Sequence, residues 1–83
     1  MGSRSDVDMK GLIEYLAKSL VNDPEQVHVT EIAGAHSIIY ELRVASDDMG
    51  RIIGKRGQVV NAMRTLVNVA AARQGKRAIL EIV

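Results

Sequence analysis

Two stretches of the chain carry apolar residues at three- and four-residue spacing, which predicts two amphipathic helices. In the first, residues 9–21, Asp8 is placed to cap the N-terminus and Asn22-Asp23-Pro24 ends the helix. The apolar stripe of this helix consists of Leu12, Ile13, Leu16, Leu20 and Val21. A stripe of this kind predicts that the helix packs on a hydrophobic surface.

The second helix begins near Gly57 and ends near Gln74, where Gly75 suits the left-handed residue that follows a helix. Its predicted buried stripe consists of Val59 or Val60, Met63, Leu66 or Val67, and Ala70. A short helix precedes it. That helix is expected to be capped by Ser46-Asp47-Asp48 and to end at Ile53, because Gly54 interrupts the pattern.

Three stretches rich in β-branched residues predict strands at 26–32, 37–44 and 77–83, with a turn at 33–36. In the second strand, alternation places Ile38, Tyr40, Leu42 and Val44 on one face and Ile39, Glu41 and Arg43 on the other. The last strand is apolar except at Glu81, which predicts a well-covered position. The order helix, strand, strand, helix, helix, strand predicts an α+β fold in which helices pack on one face of a three-stranded sheet.

A length of 83 residues suits one domain, and a hydrophobic content of 47% is enough for one small core. Residues 1–8 show no apolar periodicity, and we expect them to be a disordered expression leader, with the folded domain at 9–83. The absence of cysteine excludes disulfides and thiolate metal sites. No apolar run has the length of a membrane span and no signal peptide is visible, so we expect a soluble cytoplasmic protein.

Charge is divided unevenly along the chain, although the net charge is only +1. Residues 1–48 contain four basic and nine acidic side chains, a balance of −5, whereas residues 49–83 contain seven basic and one acidic, a balance of +6. No acidic residue occurs between Met49 and Leu80. A small domain polarised in this way can present a positive face to a polyanion, although a solvated helix face would have the same composition.

The positive half contains a loop with a clear chemical use, Gly54-Lys55-Arg56-Gly57, between two predicted helices. Glycine permits backbone angles closed to other residues and lacks the Cβ atom that would keep a sugar-phosphate chain away from the main chain. The N-terminus of the following helix offers unpaired N–H groups and a partial positive charge to an anion. Lys55 and Arg56 add full charges. We expect Ile53 to anchor the short helix in the core and Ile52 to line an apolar groove beside the loop.

The segment Ile52-Ile53-Gly54-Lys55-Arg56-Gly57-Gln58-Val59-Val60 resembles the signature of KH domains: an aliphatic pair, Gly-x-x-Gly with basic central residues, and a further aliphatic residue. The short Gly-x-x-Gly is a weak signal alone and a specific one with these flanks and this element order. The order is similar to the type II KH arrangement. The size and the stretch from Asp48 to Gly54 are similar to the small bacterial single-KH proteins of the KhpA type, and the resemblance covers nearly all of residues 9–83.

The resemblance implies single-stranded RNA binding, with roles assigned by position. Gly54, Lys55, Arg56 and Gly57 match the loop that holds about four nucleotides of backbone. The aliphatic side of the groove is matched by Ile52, Val59 and Val60, although which valine faces the groove stays open. The second predicted strand matches the opposite wall, where base edges would meet Ile39, Glu41 or Arg43. Arg51 and Arg64 are near enough in sequence to reinforce contact with phosphates.

The resemblance also implies partners, because one KH site has a small footprint and useful affinity would need a second domain. The expected partner is another copy of the chain or a larger KhpB-type KH protein. The expected role is that of an RNA chaperone or post-transcriptional regulator. The alternative is a protein-interaction or dimerisation module in which RNA binding is secondary.

Other chemistries fit the sequence less well. A phosphate-binding nucleotide loop is excluded because Gly50 and Gly54 are one residue too close and Arg56 replaces the required Ser or Thr. His28 and His36 have no accompanying ligand set for a metal. No serine lies in a nucleophile motif, so we expect no enzyme activity, metal or cofactor. The scarcity of aromatic residues argues against folds that stack bases on exposed rings.

Overall fold

The computed structural model describes residues 8–83, which form three α-helices packed against one three-stranded sheet. The elements are α1 (Met9–Leu20), β1 (His28–Ala33), β2 (Ile38–Arg43), α2 (Met49–Ile53), α3 (Gln58–Arg73) and β3 (Ala78–Ile82). Short 3₁₀ turns lie at Pro24–Gln26, Ser46–Asp48 and Lys55–Gly57. The predicted α+β fold and element order are confirmed. Apart from Asp8, the expected leader at residues 1–8 lies outside the described residues.

The first helix begins at the predicted cap, since Asp8 Oδ1 accepts a hydrogen bond from the Gly11 N–H at 3.1 Å. Its buried residues are Met9, Ile13 and Ala17, whereas Leu20 is 38% exposed. The stripe that packs on the core therefore includes Ala17, which the sequence pattern did not include. The helix ends at Leu20, shortly before Pro24, as predicted.

The sheet has the order β1-β2-β3, so β2 is central. β1 and β2 are antiparallel, with Val29 opposite Leu42, whereas β2 and β3 are parallel, with Tyr40 opposite Leu80. The prediction that the last strand is well covered is wrong, because β3 lies at an edge and Ile79 is 41% exposed. Within residues 8–83, one edge of β3 is therefore free of strand pairing, and the flank of α3 lies beside it.

The core lies between the sheet and the helices. Alternation along β2 directs Tyr40 and Leu42 into this core, where Ile13, Ile52 and Val67 are completely buried. Residues between them on β2 point to the opposite face of the sheet, on which none of the helices in the described part of the chain packs. All helices therefore share one side of the sheet, as predicted.

The third helix buries Val60, Met63, Val67 and Ala71. Of the alternatives that the sequence left open, Val60 and Val67 are the buried residues. Val59 is only partly buried, and Leu66 is 50% exposed. The helix ends at Arg73, and Gly75 follows with φ 69°, the left-handed conformation expected there. No helix within residues 8–83 is long and apolar enough to cross a lipid bilayer.

Candidate nucleic-acid interface

The loop between α2 and α3 is a tight turn held by its own main chain. The Gly54 N–H donates to the Gly50 carbonyl at 2.8 Å, and the Gly57 N–H donates to the Gly54 carbonyl at 3.1 Å. Positive φ angles occur at Gly54 (74°), Arg56 (56°) and Gly57 (76°). A left-handed arginine is strained, and strain of this kind concentrates at functional sites. These two bonds and the left-handed residues form a tight turn that presents Lys55 and Arg56 at its tip.

The two glycines are required for different reasons. A Cβ atom at Gly54 would overlap Val59 Cγ2 and would lie 2.9 Å from the Val59 main-chain nitrogen. At Gly57 the nearest atom to an added Cβ would be Asn61 Nδ2, at an ordinary contact distance of 3.7 Å. Gly54 thus allows α2 and α3 to pack closely, whereas at Gly57 the requirement is for the left-handed backbone conformation rather than for space.

Replacing each glycine by alanine separates these roles. We expect Gly54→Ala to lower the free energy of unfolding by about 2–4 kcal/mol, because overlap adds to an unfavourable backbone conformation. Gly57→Ala should cost only about 1 kcal/mol, the strain of a left-handed residue. Chemical denaturation measures both values. Equal losses of stability at the two positions would show that close packing against Val59 is not the reason why position 54 requires glycine.

The loop has unused hydrogen-bonding and charge capacity. Within residues 8–83, no acceptor pairs with the main-chain N–H of Lys55 or of Arg56, and no carboxylate forms an ion pair with either side chain. Both side chains are exposed. Gly57, the N-cap of α3, provides no side-chain cap. An anionic oxygen at this turn would therefore meet free donors, full positive charge and the positive end of a helix.

The expected roles of the two isoleucines are reversed in the structure. Ile52 is completely buried in the core, whereas Ile53 is 40% exposed immediately before the loop. The prediction that Ile52 lines a groove and Ile53 anchors α2 is therefore wrong. The reason is helix geometry: consecutive residues differ by about 100°, and Ile52 shares its face with the buried Asp48 one turn earlier.

The flank of α3 that follows the loop faces the free edge of β3. Arg64 lies on this flank, since its Nε donates to the Leu80 carbonyl at 3.3 Å. Val60 lies one helical turn before Arg64 and is buried outside the main core cluster. Val59 instead helps to line a shallow apolar depression between α1 and α3. Of the two valines, Val60 is therefore the one on the β3 side of α3. The strip between this flank of α3 and the β3 edge, marked by Val60, Arg64 and Leu80, is called the α3–β3 groove.

The three residues expected on the opposite wall lie elsewhere. Ile39 and Arg43 alternate with Tyr40 and Leu42, so their side chains point to the face of the sheet that carries no helix. Glu41 shares that face. The prediction that β2 forms the wall opposite the loop is wrong, because β2 is central and covered by both neighbouring strands. The strand beside the α3 flank is β3, and sequence reasoning missed Leu80.

Asp48 is a structural residue that sequence reasoning interpreted incorrectly. Its carboxylate is 2% exposed and accepts the N–H groups of Asn22 at 3.0 Å and Asp23 at 3.1 Å. Arg51 Nε lies 3.4 Å from Asp48 Oδ1. The predicted side-chain cap is absent from α2. Asp48 instead ties the start of α2 to the segment after α1, and it holds Arg51 by one nitrogen while the guanidinium remains exposed.

The described residues offer no alternative metal chemistry, since no group of three or more His, Asp or Glu side chains within 8–83 is arranged to bind an ion. Tyr40 has a raised pKa because it is buried and because Glu31 and Asp8 lie nearby. It lies beside Ala71 and Ala78, at the far end of α3 from the loop. The loop and the α3–β3 groove therefore remain the site with the clearest chemical capacity.

Comparison with known proteins identifies relatives over nearly the whole chain. The family described as KhpA/KhpB, KH domain, matches residues 10–82. A protein named RNA-binding protein KhpA from Clostridium perfringens is 51% identical over 75 residues, which cover 90% of this chain and 100% of the relative. The protein of the same name from Chlamydia caviae is 49% identical over 74 residues, 89% of this chain and 95% of the relative.

One solved structure has a similar fold, the crystal structure of Aquifex aeolicus Era in complex with GDP and aluminium fluoride. The TM-score is 0.62 at 19% sequence identity. The match covers 93% of this chain but only 31% of the Era chain, so this likeness concerns the fold alone.

Proposed function

The chain belongs to the KhpA/KhpB family of KH domains, and from this we propose that it binds single-stranded RNA through the Gly54–Gly57 loop and the adjacent α3–β3 groove. Relatives that are 49–51% identical to it are named RNA-binding proteins. The family is one of RNA-binding proteins, and the chain is not an enzyme.

The observation that carries the proposal is the set of free donors at the loop tip. Two main-chain N–H groups and two exposed cations, on Lys55 and Arg56, have no partner within residues 8–83. A phosphodiester oxygen supplies the acceptor that each of these groups lacks. Since glycines bracket the tip, a sugar-phosphate strand can lie directly against the main chain.

The apolar side chains near the loop favour a single strand over a duplex. Ile53 is 40% exposed immediately before the loop, whereas Val60, at 6%, presents only a small part of its surface at the start of the groove. Aliphatic side chains contact the faces of bases, which are accessible only when the bases are unstacked from a partner strand. The footprint of such a site is about four nucleotides.

The salt dependence of RNA affinity tests this function. Each phosphate neutralised on a single strand contributes about −0.7 to the slope of log K against log salt, so contact with three or four phosphates predicts a slope of about −2 to −3. We expect this slope with a short unstructured RNA and much weaker binding to a duplex of the same sequence. A flat salt response would contradict the proposal.

A second candidate function is pairing with another KH domain, either a second copy of this chain or a larger KhpB-type protein. It is favoured by the apolar depression between α1 and α3, where Tyr15 is 70% and Leu66 is 50% exposed. A flat salt response together with a dimeric mass in solution would favour this function over RNA binding. The two functions are compatible, because pairing would join two small RNA sites into one longer site.

The cellular role follows from the size of the site. A domain that holds about four nucleotides by their backbone has little sequence information of its own, which suits an RNA chaperone or post-transcriptional regulator. The cytoplasmic location expected from the sequence stays a prediction. Sequencing the RNA crosslinked to the protein in cells would test this role.

A further inference from the structure

The helix-free face of the sheet presents a row of three isoleucines. Ile32 of β1 pairs with Ile39 of β2, and Ile39 pairs with Ile79 of β3, so the three side chains stand side by side across all three strands. Ile32 is 44% and Ile79 is 41% exposed, and Ile39 between them is half-buried. A single exposed isoleucine is ordinary, whereas adjacent ones form a contiguous apolar patch of the kind that contacts a partner.

The next row on the same face contains two carboxylates side by side. Glu41 of β2 pairs with Glu81 of β3, one row further along the strands than the isoleucines. Arg43 lies one row beyond them and Arg77 lies beyond the isoleucines, yet within residues 8–83 neither arginine forms an ion pair with a glutamate. Like charges at directly paired strand positions repel each other and destabilise the sheet. The two glutamates therefore lower the stability of the domain, which indicates a role toward a molecule outside it.

We propose that this face binds a basic amphipathic helix of another protein. The apolar stripe of that helix contacts the row of isoleucines, and its lysine or arginine side chains reach the carboxylates of Glu41 and Glu81. Charge complementarity favours a basic partner, since the only charges in the row beside the isoleucines are these two negative ones.

The spacing of the isoleucines favours a helix over an extended peptide. Neighbouring strands lie about 4.8 Å apart, and each turn of a helix advances about 5.4 Å, so successive turns of a helix that crosses the strands meet successive isoleucines. An extended peptide repeats its same-face side chains only every 6.7 Å or so, and by the third isoleucine it would be out of step.

The position of this face leaves the RNA site free. All three helices and the loop between α2 and α3 lie on the other side of the sheet, so the domain can hold a protein on one side and a single-stranded RNA on the other. The inference does not depend on the proposed RNA binding, and either one can fail without the other.

The experiment titrates two synthetic peptides into the isotope-labelled full chain and records amide NMR spectra. The first peptide is a helix of about 14 residues with leucines along one face, flanking lysines and alanine elsewhere. The second has glutamate in place of each lysine. We expect the lysine peptide to shift the amides of Ile39, Glu41 and Glu81, and the glutamate peptide to bind at least about tenfold more weakly.

Variants of the face test the two rows separately. Glu41→Gln combined with Glu81→Gln should weaken the lysine peptide about tenfold and raise the thermal stability of the domain, because repulsion is removed. Ile32→Thr should weaken both peptides. The matched control for the charge change combines Glu14→Gln on α1 with Asp47→Asn before α2, and it should leave both affinities unchanged.

Three results would overturn the inference. The first is the absence of shifts on this face, or shifts confined to the depression between α1 and α3. The second is equal affinity for the two peptides, which would show that the glutamates select nothing. The third is a parent that is dimeric in solution and becomes monomeric on Ile32→Thr, since a second copy of the chain would then be the occupant. RNA affinity should be the same for the parent and for all of these variants.

Discussion

Replacing Lys55 and Arg56 together by aspartate will reduce RNA affinity at least about a hundredfold, because each cation contributes a charge-assisted contact of roughly 1.5–3 kcal/mol. The new carboxylates would also repel the phosphates. Folding should be preserved, since both side chains are exposed and no ion pair within residues 8–83 includes them. Aspartate also tolerates the left-handed conformation that position 56 adopts. Fluorescence anisotropy with a short single-stranded RNA measures the affinity.

A matched control changes net charge by the same amount elsewhere. Lys10 and Lys18 are exposed on α1, and their joint replacement by aspartate gives the same total charge as the loop variant. We expect this control to retain most of the affinity, with only the small loss caused by long-range repulsion. If the control lost as much affinity as the loop variant, overall charge rather than the loop would be responsible for binding.

Replacing Ile52 by alanine will lower the free energy of unfolding by about 2–4 kcal/mol, the usual cost of removing a fully buried aliphatic side chain. The same change at Ile53 should cost less than about 1 kcal/mol, because 40% of that side chain is exposed. RNA affinity should instead fall more for Ile53→Ala than for Ile52→Ala. We expect Ile53→Ala to weaken binding about three- to tenfold by removing apolar contact with a base.

Denaturant unfolding and anisotropy on the two isoleucine variants test this pair. Each residue serves as the control for the other, since they are chemically identical and adjacent. RNA binding by Ile52→Ala should be measured where the variant is fully folded. A larger loss of stability at Ile53 than at Ile52 would refute the observed orientation of α2.

The loop was predictable from sequence because its determinants are local. Gly54 and Gly57 interrupt two helical patterns, and the conformations they adopt depend mainly on their own lack of a side chain. The helix boundaries and the Asp8 cap were predictable for the same reason. Interactions between residues three or four positions apart are visible in the sequence as spacing.

The orientation of α2 was not predictable, because a helix of five residues contains too few positions to define an apolar face. For this reason the sequence assigned the buried position to Ile53 and the exposed position to Ile52, which is the reverse of the structure. Asp48 was misinterpreted for a different reason: its partners, the N–H groups of Asn22 and Asp23, are distant in sequence. A buried carboxylate that binds a distant main chain looks in the sequence like an ordinary cap.

The residues that line the groove could not be predicted from the sequence either, because they depend on the order of strands in the sheet. The apolar character of β3 predicted a covered strand, yet parallel pairing with β2 covers only one of its edges. The bond between Arg64 and Leu80 exists only because that other edge is free. Strand order is fixed by contacts across the whole domain, so no local pattern distinguishes β2 from β3 as the neighbour of the groove.

Addition of a short single-stranded RNA to the isotope-labelled protein, followed by amide NMR spectra, tests the central claim most directly. We expect the largest shifts at the amides of Gly54, Lys55, Arg56 and Gly57, where the phosphate backbone would lie against the main chain. Shifts confined to the helix-free face of the sheet, at residues such as Arg43 and Glu81, with the loop amides unchanged, would contradict it.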